Sequence, residues 1–320
     1  MRRSVLALAL AGLLLAPAVA SAQSVESTFF NSVIPSRVDH LIGFTPTTFA
    51  IHPQGRPVVP ITVRVGGRTH RYVFYNATAV VGPSADAYLR SMIRGRRYPG
   101  LQGVFLDRPL TAAERRHLVV RADIGRDADV LAVAIGHPAC ASGVSRAAAR
   151  GIAAGRIVTW SAAGVPVPAS GDAIVLRRAG PGIERSAEPR FGAPPLALKR
   201  TQIARDGGLS EAAAGDLAIA AVTSWSRARA FATTTCAVPV GGTAPTDVSV
   251  RALTHRDAYP IAYVTLKRLG LRTGVRPITA AFVKYLTGPL ATASFESRGM
   301  LLARGEWPAV SVPAAPPPAP

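Results

Sequence analysis

An α/β fold is predicted by the order of apolar segments along the 320-residue chain. Residues 58–75 have the pattern of a β-hairpin: Ile61, Val63 and Val65 alternate with polar positions, and Gly66-Gly67 supplies a turn before a second strand-forming run. After the hairpin, short apolar segments alternate with amphipathic helical ones. This alternation is typical of α/β proteins, and we expect mostly parallel strand pairing.

Three helices are predicted from residues that can cap a helix start. Ser84 precedes the first helix and Ser145 the third, while Thr111 precedes the second with Glu114 at the position that completes a capping box. The buried strands predicted after the hairpin cover residues 104–106, 130–135, 173–176, 217–222 and 259–266, and a further helix covers residues 279–286.

Residues 1–22 have the pattern of a cleavable secretory signal. Arg2 and Arg3 are followed by an uncharged apolar run over residues 5–15, and Ala20-Ser21-Ala22 matches the pattern that a signal peptidase reads. The apolar run is too short to span a bilayer, which weighs against the alternative of a retained membrane anchor. We therefore expect a mature chain that starts at Gln23 and is periplasmic or secreted.

The charge balance favours an anionic partner. The sequence has 37 lysines and arginines against 18 acidic residues, a formal net charge of +19 at pH 7. Such an excess attracts anions but carries no information about the fold. The cluster of Arg94, Arg96 and Arg97 has no interleaved aromatic residues, so we interpret it as a solvated turn and expect no nucleic acid as the physiological ligand.

Cys140 and Cys236 are the only cysteines of the chain. In an oxidising compartment they are candidates for one disulfide, and two separately buried thiols are the alternative. His137 lies three residues before Cys140, a spacing that would suit a base and its nucleophile. A structural cysteine at a strand end is the stronger interpretation, because no third orienting group is marked.

The common signatures of catalysis are absent from the sequence. It contains no G-x-S-x-G, no G-x-x-x-x-G-K-S/T phosphate loop, no G-x-G-x-x-G and no H-E-x-x-H. The six histidines are scattered singly, without the spacing of metal ligands. We therefore expect a protein that is not an enzyme and that uses no cofactor and no metal.

Seven segments follow one another in an order that carries a family resemblance. They are residues 107–114, 124–133, 152–161, 173–178, 240–246, 258–261 and 281–286. The first reads D-R-P-L-T-A-A-E, the third ends in G-R-I-V-T-W-S, and the sixth reads A-Y-P-I. In these segments, which extend over about 75–302, the sequence resembles the periplasmic phosphate-binding protein family, the substrate-binding component of phosphate ABC transporters.

The resemblance implies a two-lobed, periplasmic-binding-protein-like α/β fold with a ligand cleft between lobes that are joined by two crossings. The implied organisation is a signal peptide (1–22), an N-terminal extension (23–57), the first part of lobe 1 (58–135), lobe 2 (136–256), the second part of lobe 1 (257–307) and a disordered Pro/Ala-rich tail (308–320).

The resemblance also implies an anion site. By position, Asp107 matches the family's aspartate, Arg178 matches its arginine, and Ser84 matches the hydroxyl at the first helix start. A guanidinium fork suits a tetrahedral oxyanion, and helix starts offer free N–H donors. A carboxylate only accepts hydrogen bonds, so it favours hydrogen phosphate over sulfate, which has no proton to donate.

One departure from the family pattern falls in the loop after Arg178. The family has Ser-Gly-Thr there, whereas this chain reads Gly180-Pro181-Gly182-Ile183 after Ala179. Both hydroxyls are missing and Pro181 has no N–H, which leaves Gly180, Gly182 and Ile183 as backbone donors. We expect weaker capture of phosphate than in the family.

Three functions remain open from sequence. The leading hypothesis is an exported, monomeric protein that captures inorganic phosphate or a related oxyanion for a membrane ABC permease. The second is a divergent binding-protein-like chain that contacts anionic polymers or surfaces through its arginines, without transport of a small ligand. An exported hydrolase is third.

Overall fold

The computed structural model describes residues 29–34, 41, 50–51, 57–65, 68–78, 85–95, 101–179, 191, 203–204, 208–267 and 275–303. The predicted signal peptide, the glycine turn at residues 66–67 and the tail at 308–320 lie outside the described residues.

The described strands form one curled sheet. They are β1 (Phe29–Ile34), β2 (Ala50–Ile51), β3 (Pro57–Val65), β4 (Arg68–Thr78), β5 (Leu101–Leu106), β6 (Leu118–Ala134), β7 (Val175–Ala179), β8 (Ile203–Ala204), β9 (Ile219–Ser224), β10 (Thr235–Ala237), β11 (Ala258–Leu266) and β12 (Leu301–Leu302). Their order is β2-β3-β4-β1-β5-β11-β6-β9-β7-β8, with β10 and β12 also paired to β6.

Helices cover the faces of this sheet. The described α-helices are α1 (Ala85–Ile93), α2 (Ala139–Ser142), α3 (Arg146–Ala153), α4 (Leu209–Ala213), α5 (Trp225–Arg229), α6 (Asp247–Arg251), α7 (Val275–Leu286) and α8 (Pro289–Ser297). The 3₁₀ turns in the described part of the chain cover Glu114–Arg116 and Ala169–Gly171. The α/β prediction is therefore confirmed.

The hairpin read from sequence is formed by β3 and β4. The two strands pair antiparallel, with Val65 opposite Arg68. β1 pairs parallel with both β4 and β5, so a strand from the segment assigned to an N-terminal extension lies between them.

The 17-residue strand β6 connects the two halves of the sheet. Its residues up to Ala128 pair with β11, and from Asp129 onward they pair with β9 and β10. The chain returns at Asp257, whose carbonyl accepts a hydrogen bond from the Asp129 N–H at 3.1 Å. Two crossings thus lie side by side. We call the β1–β5, β11 and β12 side the first lobe and the β7–β10 side the second lobe.

Strand pairing is mixed, and the expectation of mostly parallel pairing was wrong. β1 pairs parallel with β4 and β5, and β7 pairs parallel with β8 and β9. All described partners of β6 run antiparallel to it. The reason is the return crossing: a chain that leaves the first lobe on β6 and re-enters on the adjacent β11 lays these strands in opposite directions.

Each lobe has its own hydrophobic core. In the first lobe, Phe105 and Phe282 both contact Tyr263 with ring centroids 5.1 Å away, and all three side chains are buried. In the second lobe, buried Trp160 packs with residues of α3, β6 and β9. Two separate cores explain why the single sheet behaves as two lobes.

A disulfide joins Cys140 on α2 to Cys236 on β10, with the Cα atoms 5.9 Å apart. Both residues lie in the second lobe, where they pack against its core. Because Cys140 is bonded to another cysteine, it is not available as a nucleophile for His137.

Candidate functional site

Asp107 directly follows β5, at a junction held by an ion network. The Arg108 guanidinium donates to both oxygens of Glu114 at 2.8 Å and to Asp86 Oδ1 on α1 at 2.6 Å. These hydrogen bonds from Arg108 lower the pKa of Glu114 to about 2. Glu114 also completes the predicted capping box: its Oε2 accepts from the Thr111 N–H at 2.8 Å, and its N–H donates to Thr111 Oγ1 at 3.2 Å. Asp107, which is half-buried, is therefore presented by a fixed segment.

Arg178 lies one residue before the end of β7. Its backbone pairs with Val222 of β9 on one side and with Ile203 of β8 on the other. This places it in the interior of the second lobe's sheet, at the carboxyl end of a strand, which is where open α/β sheets hold their ligands.

The strand directions bring the ends of β5 and β7 toward the crossings. β5 is antiparallel to β11, which is antiparallel to β6, so β5 runs with β6 toward the second lobe. β7 is parallel to β9, which is antiparallel to β6, so β7 runs back toward the first lobe. Asp107 and Arg178 thus end strands that approach the crossings from opposite lobes.

The remaining predicted ligands, Ser84, Gly180, Gly182 and Ile183, lie outside the described residues. The helix expected after Ser84 is present and begins at Ala85. A direct contact of Asp107 with Arg178 across the cleft stays a prediction.

A buried carboxyl group anchors the second lobe to the first crossing. Asp127 of β6 is 0% exposed, and its Oδ1 accepts hydrogen bonds from the N–H groups of Ala128 (2.8 Å) and Ser226 (3.0 Å). Its Oδ2 accepts from Ser226 Oγ at 2.7 Å. Because Ser226 is in the first turn of α5, Asp127 satisfies a helix start that would otherwise lack an acceptor.

An ion pair anchors the second lobe to the return crossing. Arg146, the first residue of α3, donates to both oxygens of Asp257 at 2.8 and 2.7 Å. These bonds raise the pKa of Arg146. Together with the bonds from Asp127 of β6 to Ser226 of α5, this ion pair fixes the second lobe on both crossings.

His137, the histidine three residues before Cys140, has structural surroundings. His137 is 1% exposed, its Nδ1 accepts from the Ala139 N–H at 3.0 Å, and its ring centroid lies 4.5 Å from that of Trp160. Burial lowers the pKa of His137. Within the described part of the chain, no group of three or more His, Cys, Asp or Glu residues is placed to hold a metal ion.

The structure also contains a cleft that sequence reasoning missed. It has a volume of about 610 Å³ and lies between the start of α4 and α5 on one side and the turn after α8 on the other. Among the residues that the structure describes, Arg227, Arg229, Arg298 and Glu296 line it. No sequence signal marked these arginines, because they are far apart in the chain. Between Arg229 and Arg298 lie the end of the second lobe and the return of the chain into the first lobe.

The fold is shared with a solved structure. A structure described as a possible phosphate binding protein from Planctomyces limnophilus matches with a TM-score of 0.60 and 13% identity, covering 86% of this chain and 93% of that one. The chain has the two-lobed α/β fold of periplasmic solute-binding proteins. The fold class predicted from sequence is therefore confirmed.

Further matches are weaker. An ABC-type phosphate transport receptor from Vibrio cholerae has a TM-score of 0.48 and 14% identity, covering 72% of this chain and 88% of that one. PstS from Borrelia burgdorferi has a TM-score of 0.47 and 11% identity, covering 86% and 98%. The sequence matches no protein-family model and no curated protein. None of the helices described here is long and apolar enough to cross a membrane.

Proposed function

We propose that this protein captures phosphate or a related oxyanion outside the cytoplasm and delivers it to a membrane ABC permease, without catalysis. The observation that carries the proposal is the placement of Asp107 and Arg178 at the ends of β5 and β7, which run toward the crossings from opposite lobes. The Planctomyces limnophilus protein that shares the fold is itself described as a possible phosphate binding protein.

The two side chains have complementary tasks in this proposal. The Arg178 guanidinium supplies two parallel N–H donors and a positive charge to the oxyanion. The Asp107 carboxylate accepts the proton of hydrogen phosphate and repels sulfate. Since each residue belongs to a different lobe, a bound anion links the lobes and favours their closed arrangement.

The loop after Arg178 limits the affinity. In place of two hydroxyl side chains it offers the backbone N–H groups of Gly180, Gly182 and Ile183, and Pro181 offers none. Without the two hydroxyl donors, fewer hydrogen bonds reach the anion. We therefore expect this protein to bind phosphate more weakly than members of the phosphate-binding family do.

Isothermal titration of the mature protein with phosphate, sulfate and arsenate tests the proposal. Arg178→Ala should weaken phosphate binding about thirtyfold, which corresponds to about 2 kcal/mol. Its matched control is Arg177→Ala: this neighbouring arginine pairs with Glu211 at 2.8 Å, so phosphate affinity should stay unchanged. Asp107→Asn should improve sulfate relative to phosphate, because the amide can donate and the repulsion is removed.

Absence of heat and of a thermal shift with millimolar phosphate, sulfate and arsenate would end the transport proposal. Contact with anionic polymers through the arginines would then take its place. Binding of that kind weakens steeply as salt is added, since it releases counterions.

A further inference from the structure

The helix α6 and the turn that follows it form an exposed surface just before the return crossing. Within residues 246–256, Val250 and His255 are buried, and most of the other residues are exposed. Two of the exposed side chains are large and aliphatic: Val248 is 79% exposed and Leu253 is 39% exposed. We call residues 246–256 the α6 surface.

The backbone of the α6 surface is fixed at both ends of the helix. Thr246 and Ser249 make the reciprocal hydrogen bonds of a capping box at the start of α6. At its end, the Leu253 N–H donates to the Val250 carbonyl at 3.1 Å. The Thr254 N–H donates to the Ser249 carbonyl at 2.9 Å, and these two bonds together form a Schellman motif. The exposed side chains are therefore presented by an ordered segment.

Leu253 occupies the position of this motif that glycine usually takes. Its φ is +56°, in the left-handed region, where a residue with a Cβ is strained. Its side chain is also partly in water and not buried in a core. Backbone strain and exposure thus both disfavour leucine at this position, and strained residues of this kind are concentrated at functional sites.

The α6 surface carries a net positive charge. Arg251 and Arg256 are exposed, and neither forms an ion pair with any residue that the structure describes. Asp247 is the carboxylate of this segment, and it is already paired. Its Oδ1 accepts from Trp225 Nε1 at 2.8 Å, and its Oδ2 lies 3.2 Å from Arg229 Nη2. The two unpaired arginines are therefore available to an anionic surface.

This combination of aliphatic and basic side chains fits the surface of an anionic bilayer. Val248 and Arg251 are three residues apart on α6 and so lie on one side of the helix. Aliphatic side chains enter the boundary between head groups and acyl chains, while arginines contact the lipid phosphates. A protein partner fits less well, because a specific protein interface needs about 800 Å² from each side and this surface is a short segment.

We propose that the α6 surface binds the anionic lipid head groups of a membrane. Val248 and Leu253 insert among the lipids, and Arg251 and Arg256 contact the phosphate groups. The contact is reversible, since two arginines and two aliphatic side chains supply only marginal affinity. It does not depend on phosphate capture, because Asp107 and Arg178 take no part in it.

Co-sedimentation of the mature, oxidised protein with vesicles tests the charged contacts. Vesicles of phosphatidylglycerol and phosphatidylcholine in equal parts should bind the protein at low salt, and pure phosphatidylcholine vesicles should bind it far more weakly. Arg251→Gln and Arg256→Gln should each weaken binding about fivefold, the effect of one arginine near an anionic bilayer. The matched control is Arg150→Gln on α3, because Arg150 is also exposed and forms no ion pair with a described residue. This control separates a local site from the general attraction of a basic chain.

The aliphatic contacts have their own controls. Val248→Ser should weaken vesicle binding about threefold or more, whereas Val158→Ser, at a valine of the second lobe that is 60% exposed, should not. Leu253→Gly should weaken vesicle binding and leave the melting temperature equal or higher, because glycine removes the backbone strain. A purely structural role of Leu253 would lower the melting temperature and leave vesicle binding unchanged.

No binding to the phosphatidylglycerol vesicles, or equal losses in Arg251→Gln and Arg150→Gln, would overturn the inference. Unchanged binding in Val248→Ser would also overturn it, and competition by poly-L-glutamate in that case would indicate an acidic protein as the partner. Arg178→Ala should lose phosphate binding and affect vesicle binding no more than Arg150→Gln does. That comparison separates this inference from the proposed function.

Discussion

Replacing Asp127 by alanine should destabilise the protein by about 4 kcal/mol, whereas asparagine should cost about 1 kcal/mol. The side chain is completely buried, and its hydrogen bonds include two from Ser226 and one from the Ala128 N–H. Alanine removes every acceptor. Asparagine keeps the shape and one carbonyl oxygen.

The magnitude follows from the groups left without a partner. In Asp127→Ala the N–H groups of Ala128 and Ser226 stay buried and lose their acceptor, at about 1–3 kcal/mol each. The Ser226 hydroxyl is not counted, since it lies 3.0 Å from Ser224 Oγ and can donate there. In Asp127→Asn the carbonyl oxygen still accepts both N–H groups. The charge assistance is lost, and the amide NH2 in place of Oδ2 donates to Ser226 Oγ instead of accepting from it.

Urea unfolding of the oxidised protein, followed in parallel by tryptophan fluorescence and circular dichroism, measures both costs. Coincidence of the two signals is required before a free energy of unfolding is assigned. Equal costs for the two variants, or a cost below about 1 kcal/mol for alanine, would refute the capping role.

Two further predictions concern the cores. Gly103→Ala should destabilise the first lobe by about 1–3 kcal/mol, because the added Cβ would overlap the buried Tyr263 ring. Gly171→Ala is the control, since no atom lies within 4 Å of a Cβ added there. Equal urea midpoints for the two variants would contradict the prediction. Burial lowers the pKa values of His137 and His255. The unfolded chain therefore binds protons more readily than the folded one, and the free energy of unfolding should fall as pH decreases through about 6.5. The fall should be less steep in His137→Asn. Urea midpoints that do not change between about pH 7.5 and 5.5 would contradict this prediction.

Local signals accounted for the elements that flank the predicted site. The reciprocal hydrogen bonds of Thr111 and Glu114 are present as predicted, although Glu114 begins a 3₁₀ turn and not the expected α-helix. Ser145 caps α3 by accepting from the Ala148 N–H, as expected. These features were readable because each depends on residues three or four positions apart.

The length of β6 was not readable in the same way. The apolar pattern predicted a strand at residues 130–135, and the family resemblance placed residues 124–133 in the strand that enters the second lobe, yet the strand begins at Leu118. Asp123 and Asp127 interrupt the apolar pattern within it. A polar residue fits a buried strand when a partner satisfies it, and for Asp127 that partner, Ser226, is 99 positions away.

The sequence by itself determined the α/β class, the hairpin of β3 and β4 and the placement of Asp107 and Arg178 after or near apolar strands. Only the tertiary structure decided how the lobes meet. The switch of pairing partners at Asp129 and the approach of Gly299 to Ser226 bring Arg227 and Arg298 to one cleft. The reason is physical: capping and strand formation are set by near neighbours, whereas the convergence of distant arginines depends on packing between elements that the local pattern does not encode.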